Sequence, residues 1–440
     1  MGRGGRLPGL EADSQPEPPP KEASRPKPPE QAAALRLRRQ TAWAWARPWR
    51  GGGARGVKGA RHAGCGDAAV AAPGTGSRRR RRRRGLSAPR TWARSGLVMA
   101  TEQRPFQLVV FGASGFTGQF VTEEVAREQV DPERSSSLPW AVAGRSREKL
   151  QRVLEKAALK LGRPTLSSEV GIIICDIANP ASLDEMAKQA TVVLNCVGPG
   201  LSIHDGTWKS AIYGFGDQSN LRKLRNASNL KPVPLIGPKL KRRWLVSYCR
   251  ELKGYSIPFM GSDVSVVKRT QRYLYENLEE SPVQYAAYVT VGGITSVIKL
   301  MFAGLFFLFF VRFGIGRQLL IKFPWFFSFG YFSKQGPTQK QIGAASFTLT
   351  FFGQGYSQGI GTDKNKPNIK ICTQVKGPEA GYVATPIAMV QAAMTLLNDA
   401  SDLPQAGGVF TPGAAFSKTK LIDRLNKHGI EFSVISSSEV

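Results

Sequence analysis

The distribution of apolar residues predicts a series of strands and helices between residues 106 and 197. Four apolar runs, rich in β-branched or aromatic residues, have the pattern of strands that are buried on both faces of a parallel sheet. They cover residues 106–111, 140–143, 170–175 and 191–197. Segments with apolar residues at helical spacing separate these runs. The alternation predicts an α/β fold with a doubly wound, Rossmann-like parallel sheet.

The pattern changes in residues 200–440, where we expect a mixed α+β domain. Residues 338–352 and 368–375 contain alternating apolar positions, which are typical of antiparallel strands packed on one face. A helix follows, with Thr385 as its expected N-cap and Pro386 as its first residue. The apolar residues on one stripe of this helix are Ile387, Val390, Met394 and Leu397. We expect that stripe to lie in a core.

The most aromatic segment of the chain also lies in this second part. Residues 301–332 contain 11 of the 23 Phe, which is more aromatic surface than a soluble face tolerates. The uncharged stretch between Lys299 and Arg312 has 12 residues, or about 18 Å of helix against a hydrocarbon core of about 30 Å. We therefore do not expect a spanning helix. Residues 297–333 are predicted to form a hydrophobic insert, a hairpin that lies in one membrane leaflet or on a lipid monolayer.

Cations near this insert favour contact with lipid. Arg312, Arg317 and Lys322 lie between and beside the apolar pieces, where their charged ends can reach headgroups. The basic run at residues 239–243 would favour an anionic lipid surface. The alternative is a buried helix pair or a homodimer interface, and the sequence leaves it open.

The net charge of +29 is distributed unevenly. Residues 1–100 contain 22 basic and 6 acidic side chains, with seven consecutive arginines at 78–84, but no Phe, Tyr, Ile or Asn. Because this composition cannot form a core, residues 1–98 are predicted to be a disordered basic extension, and we interpret Met99 as the native start, with the folded part directly after it. No aromatic platform accompanies the arginines, so a nucleic acid is not an expected partner.

The same residues and the cysteines indicate the compartment. Residues 1–98 lack the apolar region of a secretory signal. The five cysteines are far apart and form no CxxC pair, and the three histidines are scattered. This spacing predicts neither a disulfide framework nor a metal site. We therefore expect a protein that is intracellular and not secreted.

A glycine-rich turn follows the first predicted strand and precedes the first helix. Its candidate cofactor-binding residues are Gly112, Ser114, Gly115, Phe116, Thr117 and Gly118. Gly112 permits a tight turn, Gly115 lets the backbone approach a pyrophosphate, and Gly118 allows the helix to pack on the strand. The amides at the helix start would hold the phosphates, and two hydroxyl groups of the turn could donate further hydrogen bonds. The turn therefore predicts a dinucleotide site.

The ends of the other strands extend this site. Arg145 follows the second strand, where an arginine pairs with the 2′-phosphate of NADP and an acidic residue would bind the ribose of NAD. NADP is therefore favoured, although Arg145 could instead cap the following helix. Asp176 follows the third strand and is expected near the adenine, while the segment from Asn195 to Gly198, at the end of the fourth strand, is expected on the nicotinamide side. Asp176 and the segment from Asn195 to Gly198 could also be ordinary turn residues.

The ordered motifs resemble those of a known family. Residues 112–118, 143–146, 175–176 and 195–199 read Gly-Ala-Ser-Gly-Phe-Thr-Gly, Ala-Gly-Arg-Ser, Cys-Asp and Asn-Cys-Val-Gly-Pro. Together with 377–386 and 407–412 they resemble the saccharopine dehydrogenase family, specifically its saccharopine dehydrogenase-like oxidoreductases. The resemblance covers roughly residues 99–440. It implies an NAD(P)-dependent oxidoreductase and lipid-droplet association, and the aromatic insert suggests a small hydrophobic, lipid-related substrate.

One departure from the family bears on activity. After Pro199 the chain continues directly into residues that read as the second domain, so about 80 residues of a complete Rossmann domain are absent. The nucleotide-binding half is thus predicted to cover 99–199 only, with an exposed edge on the fourth strand. No catalytic residue is assigned, since His204 and Asp205 are candidates by sequence position alone. The alternative function is a non-enzymatic membrane or lipid-droplet protein whose nucleotide-binding fold is vestigial.

Overall fold

A computed structural model describes residues 104–129, 138–197, 205–227, 232–330, 332, 337–357, 366–405 and 407–439. All of them belong to one unit, Pro48–Val440. The predicted extension at residues 1–98, Met99, Gly198 and His204 lie outside the described residues.

The nucleotide-binding half contains a four-stranded parallel sheet. Its strands are β1 (Phe106–Phe111), β2 (Trp140–Gly144), β3 (Gly171–Ile174) and β4 (Ala190–Asn195). They lie in the order β3-β2-β1-β4 and all neighbours are parallel. The predicted Rossmann-like parallel sheet is therefore confirmed, with each strand where an apolar run predicts it.

Helices cover both faces of this sheet. They are α1 (Phe116–Glu128), α2 (Arg147–Leu161), α3 (Leu166–Glu169) and α4 (Pro180–Gln189). Apolar residues of α1 and α2 share one core with Leu108 and Val110 of β1, whereas Met186 of α4 packs on the other face with Val109. The chain thus changes faces between β1 and β4, and in such sheets the ligand crevice lies at this switch point.

The outer edge of β4 is open in the described part of the chain. Among the strands that the structure describes, β4 pairs with β1 alone, from Phe106↔Ala190 to Phe111↔Asn195. The sequence predicts this edge, because the residues that would supply the next strand are missing after Pro199. Backbone N–H and C=O groups on such an edge are available for pairing.

The remaining elements confirm the expected α+β content. The helices are α5 (Asp205–Gly216), α6 (Gln218–Ala227), α7 (Asp263–Leu278), α8 (Ile294–Val311), α9 (Gly314–Lys322), α10 (Pro324–Phe327), α11 (Gln339–Ala344), α12 (Thr385–Asn398), α13 (Pro412–Ala415) and α14 (Leu421–Lys427). The strands are β5 (Ser247–Cys249), β6 (Gly254–Pro258), β7 (Tyr288–Val291), β8 (Ser346–Gly355), β9 (Ile369–Pro378) and β10 (Glu431–Glu439). They form two antiparallel sheets, in the orders β5-β6-β7 and β10-β9-β8.

Helix α12 completes the core of the nucleotide-binding half. Its residues Val390, Ala393 and Met394 are buried in the same cluster as the apolar residues of β1, α1 and α2. The predicted core stripe is therefore confirmed. The predicted cap is wrong, because a π-helical turn at Ala380–Ala384 runs directly into the helix. Thr385 is already helical, and its hydroxyl group donates a hydrogen bond to the Ala380 carbonyl at 2.7 Å.

The aromatic insert forms a helical cluster with one buried and one exposed side. Val311, Leu320 and Phe327 are buried against Trp208 and Ile212 of α5, and the Trp208 indole donates to the Leu320 carbonyl at 2.8 Å. On the other side of the cluster are exposed apolar residues, including Phe302, Phe309, Ile315, Trp325, Phe326 and Phe329. The insert therefore combines a packed helix pair, one of the alternatives considered, with a large exposed apolar surface.

Among the described residues, two segments are apolar and long enough to cross a membrane by length and composition, Ile294–Val311 and Ala380–Asn398. The second is more than half buried in the protein and contains the core helix α12. The first is only 11% buried and continues through Lys299, which makes it longer than the uncharged stretch considered above. Its 18 residues correspond to about 27 Å of helix.

Candidate functional site

The turn after β1 requires glycine at its first position. Gly112 has a φ of +82°, and its N–H donates to the Ala143 carbonyl at 2.8 Å. A Cβ atom at this position would lie 2.5 Å from Val197 Cγ2. Both the left-handed backbone and this close approach exclude a side chain. The turn thereby brings the ends of β1, β2 and β4 together.

The next two glycines fix the start of α1. The Gly115 N–H donates to the Gly112 carbonyl at 2.9 Å, and Gly115 is the N-cap of α1. A Cβ atom on Gly118 would lie 2.2 Å from the Gly112 carbonyl oxygen, so only glycine lets the helix approach the turn this closely. Gly118 therefore lies below the turn and supports it. In such folds the amides of the first helical turn bind phosphate.

A groove of about 340 Å³ opens above the turn. The predicted site residues that line it are Gly112, Ser114, Gly115, Phe116, Thr117 and Arg145. Cys196 and Val197, which follow β4, line it from the other side of the switch point. Six of the ten predicted residues are thus brought together in one groove.

Arg145 lies at the end of this groove beside a second cation that the sequence analysis missed. An adjoining pocket is lined by Ser114, Gly115, Arg145, Ser146 and Lys149. Lys149 lies in the first turn of α2, the helix that begins directly after Arg145 and Ser146, and its nearness in the sequence to the strand end could have identified it. In the described part of the chain, neither cation forms a salt bridge. This pair fits a 2′-phosphate.

Ser146, not Arg145, caps helix α2. The Ser146 hydroxyl accepts a hydrogen bond from the Lys149 N–H at 3.3 Å and donates one to Glu148 Oε2 at 2.6 Å. The second bond is the main reason why the pKa of Glu148 is lowered. The alternative in which Arg145 caps the helix is therefore wrong. The guanidinium is exposed and available to a ligand.

Asp176 and Asn195 lie next to the groove, and their side chains stabilise turns. The Asp176 carboxylate accepts from the Ala178 N–H at 3.1 Å, and the Asn195 side-chain oxygen accepts from the Val197 N–H at 2.9 Å. Their neighbours Cys175, Ile177, Cys196 and Val197 are the residues that line the groove. A cofactor role for Asp176 and Asn195 stays a prediction, and Gly198 lies outside the described residues.

The two thiols that line the groove, Cys175 and Cys196, are not suited to act as nucleophiles. Burial raises the pKa of the Cys196 thiol to about 12. The pKa of Cys175 is raised by burial and by the neighbouring Asp176 carboxylate. Both thiols therefore stay protonated near neutral pH. Among the described residues there is no group of histidine, cysteine and carboxylate side chains that could hold a metal ion.

Comparison with known proteins identifies the family. The family described as "Saccharopine dehydrogenase NADP binding domain" matches residues 108–205, which include the groove. The "Saccharopine dehydrogenase-like oxidoreductase" of Homo sapiens is 77% identical over 429 residues, covering 78% of this chain and 100% of the relative. The chain belongs to the saccharopine dehydrogenase-like oxidoreductases. It therefore carries the NADP-binding domain of that family, as the glycine turn and Arg145 predict.

More distant relatives match over a similar share of the chain. The "Lipid droplet localized protein" of Caenorhabditis elegans is 28% identical over 434 residues, covering 76% of this chain and 99% of the relative. A "Probable mitochondrial saccharopine dehydrogenase-like oxidoreductase" of Arabidopsis thaliana is 27% identical over 453 residues, covering 77% and 99%. No solved structure matches the chain.

The human match also measures the missing segment. It spans 429 residues of the relative but only 78% of this chain, which is about 343 of 440 residues. About 86 positions of the relative, the difference between 429 and 343, therefore have no counterpart here. This agrees with the estimate of about 80 residues for the absent part of a Rossmann domain.

Proposed function

We propose that this saccharopine dehydrogenase-like protein is an NADP-linked oxidoreductase that acts at a membrane or lipid-droplet surface on a lipid-related, hydrophobic substrate. The NADP-binding domain supports the oxidoreductase part of the proposal. The observation that carries the surface-bound part is the exposed apolar side of the insert at residues 297–333, formed by α8, α9 and α10.

The size of this apolar side supports insertion into lipid. Phe302, Phe309 and Phe326 expose 70%, 63% and 64% of their surface. Transfer of one such side chain into an apolar phase contributes about 1.5–3 kcal/mol. Several of them together exceed what an incidental surface patch would provide. An oxidoreductase that holds this surface in lipid would meet substrates that dissolve there.

Cations are placed to assist this contact. Arg312 lies at the turn between α8 and α9, and Arg317 lies in α9. The Lys322 Nζ atom lies 5.5 Å from the centroid of the Phe323 ring. The Arg317 guanidinium also donates to the Gly216 carbonyl at 3.3 Å, so one cation joins the insert to α5. Positive charge beside an inserted apolar face favours anionic headgroups.

The names of the relatives support an intracellular location. The Caenorhabditis elegans relative is called lipid droplet localized, which agrees with the proposed surface. The Arabidopsis relative is called mitochondrial, which agrees with an intracellular protein but gives a different organelle. We propose the lipid droplet for this chain because the insert packs against the protein on one side and exposes apolar residues on the other, an arrangement that suits a lipid monolayer and needs no spanning segment.

Flotation with lipid tests the surface-bound part. The full chain is mixed with phosphatidylcholine vesicles, with or without phosphatidylserine, and with triacylglycerol droplets coated by the same lipids. We expect wild-type protein to float, and the double variant Phe302→Asp, Phe309→Asp to lose at least about a hundredfold in partitioning, because two apolar side chains are removed. Leu159→Asp is the matched control, since Leu159 is 86% exposed on α2 outside the insert. Equal flotation of the double variant and the control would contradict the proposal.

NADPH binding and turnover test the enzyme part. Gly115→Asp would place a carboxylate where the phosphates approach, so saturable NADPH fluorescence enhancement should be lost in this variant. Wild-type chain should also oxidise NADPH when lipid carbonyl compounds are supplied in vesicles. An absence of saturable binding by wild-type protein would contradict the oxidoreductase proposal.

The missing segment favours a second candidate, a non-enzymatic peripheral membrane protein with a vestigial nucleotide-binding fold. About 86 positions of the human relative are absent, and they follow β4 in our interpretation. This candidate predicts normal flotation without NADPH turnover. Restoring the relative's residues between Pro199 and Gly200 should then produce turnover.

A further inference from the structure

The C-terminal part of the chain contacts the glycine turn through one aromatic side chain. The Tyr382 ring lies edge-on to the Phe116 ring, with centroids 4.8 Å apart and planes at 73°. The Phe120 ring lies 5.5 Å from Tyr382 and 5.7 Å from Phe116. Phe116 and Phe120 belong to the first turns of α1, so Tyr382 packs where that helix meets the cofactor groove.

Tyr382 is held firmly between two anchored elements. It lies in the π-helical turn that joins β9 to α12. The Glu379 carboxylate accepts hydrogen bonds from the Gly381 N–H at 2.9 Å and from the Tyr382 N–H, which fixes the start of this turn. On the other side, α12 is anchored in the core of the nucleotide-binding half. The tyrosine is only 2% exposed.

This environment suits a positioning role. Burial and the Glu379 carboxylate raise the pKa of Tyr382, so the phenol stays protonated near neutral pH and is a poor base. Its contact is with Phe116, which is 38% exposed and lines the groove. Phe116 is also the first residue of α1 and directly follows Gly115. In a turn of this kind, the backbone at Gly115 is the part that would approach the phosphates closely.

We propose that Tyr382 is a positioning residue for NADP, which acts through Phe116 to hold the first turn of α1 in its phosphate-binding position. The C-terminal motif at residues 377–386 thereby becomes part of the cofactor site, although it lies on the far side of the insert in the sequence. The proposal rests on NADP binding in the groove between β1 and β4.

The test compares Tyr382→Leu with Tyr382→Phe in the full chain. Loss of edge-to-face aromatic contacts should weaken NADPH binding by about threefold to tenfold in Tyr382→Leu. Tyr382→Phe keeps the ring and should stay within about twofold of wild type. Thermal midpoints without NADPH are measured in parallel. The matched control is Val390→Ala, a fully buried change in α12 that should lower the midpoint but leave the NADPH Kd unchanged.

A double-mutant cycle separates action through Phe116 from a general loss of stability. If Tyr382 acts through Phe116, adding Tyr382→Leu to Phe116→Leu should weaken NADPH binding little further. Additive losses would overturn the proposal, as would an unchanged Kd in Tyr382→Leu or a Kd that simply follows the midpoint in all variants. If wild-type protein shows no saturable binding, the NADP site itself is refuted, and this proposal with it.

Discussion

Removal of the cation pair at the end of the groove should change cofactor preference. Arg145 and Lys149 are both exposed and line the pocket beside Ser146. We expect the 2′-phosphate of NADP to bind between them. NADH lacks that phosphate, so its affinity reports any general damage to the site.

The size of the effect follows from the exposure of these groups. Hydrogen bonds to charged groups contribute about 1.5–3 kcal/mol, and solvent screening at an exposed site favours the lower end. A loss of about 1.5 kcal/mol corresponds to roughly tenfold in Kd. Arg145→Ala and Lys149→Ala should therefore each weaken NADPH binding about tenfold. The double variant should lose up to about a hundredfold if the two contacts are independent.

Fluorescence titration with NADPH and NADH at two salt concentrations measures this effect. The advantage of NADPH over NADH should shrink in each variant, and the salt dependence of NADPH binding should fall with it. Lys156→Ala is the control, because Lys156 is exposed on the same helix but does not line the pocket. If both nucleotides weaken equally, or if neither weakens, Arg145 and Lys149 do not recognise the phosphate.

Three further changes test the fold around the site. Gly112→Ala should abolish NADPH binding in the same titration and lower the thermal midpoint. The added Cβ would lie 2.5 Å from Val197 Cγ2, and a positive φ costs a residue with a side chain about 1–2 kcal/mol. A variant with normal NADPH affinity would contradict the close approach of Gly112 to Val197. Met394→Ala, at a site 1% exposed, should cost about 2–5 kcal/mol in urea unfolding. The pKa of Asp399 is lowered, mainly by hydrogen bonds from Arg424. The ionised Asp399 carboxylate therefore stabilises the fold above the ordinary carboxyl pKa of about 3.9, and this stabilisation is lost as the pH falls toward the lowered pKa. Asp399→Asn should flatten acid unfolding in that range.

Local sequence was sufficient for the parts of the site that depend on neighbours in the chain. Gly112, Gly115 and Gly118 are needed by the turn itself, and Arg145 follows a strand whose end is marked by glycine. Lys149 could also have been found, because it lies in the first turn of the helix that follows Arg145. The sequence pattern therefore predicts site residues reliably when the contacts that require them lie within one turn or one strand.

Contacts between distant segments could not be predicted in this way. Nothing in the spacing of residues 377–386 indicates that Tyr382 lies against Phe116, since tertiary packing alone determines it. The predicted cap at Thr385 is wrong for a related reason. A threonine followed by proline is a common cap, but Glu379 holds the preceding residues in a π-helical turn that continues into α12.

The position of α12 in the core has a consequence for synthesis of the chain. Strands β1 to β4 are complete at Asn195, but α12, which completes the core on one face of their sheet together with α1 and α2, begins at Thr385. Nearly the whole chain must leave the ribosome before this core can close, and contacts of such high sequence separation form slowly. The insert that starts at residue 297 emerges earlier. If the insert binds lipid as we propose, a nascent chain would reach lipid through it while the nucleotide-binding half is still open.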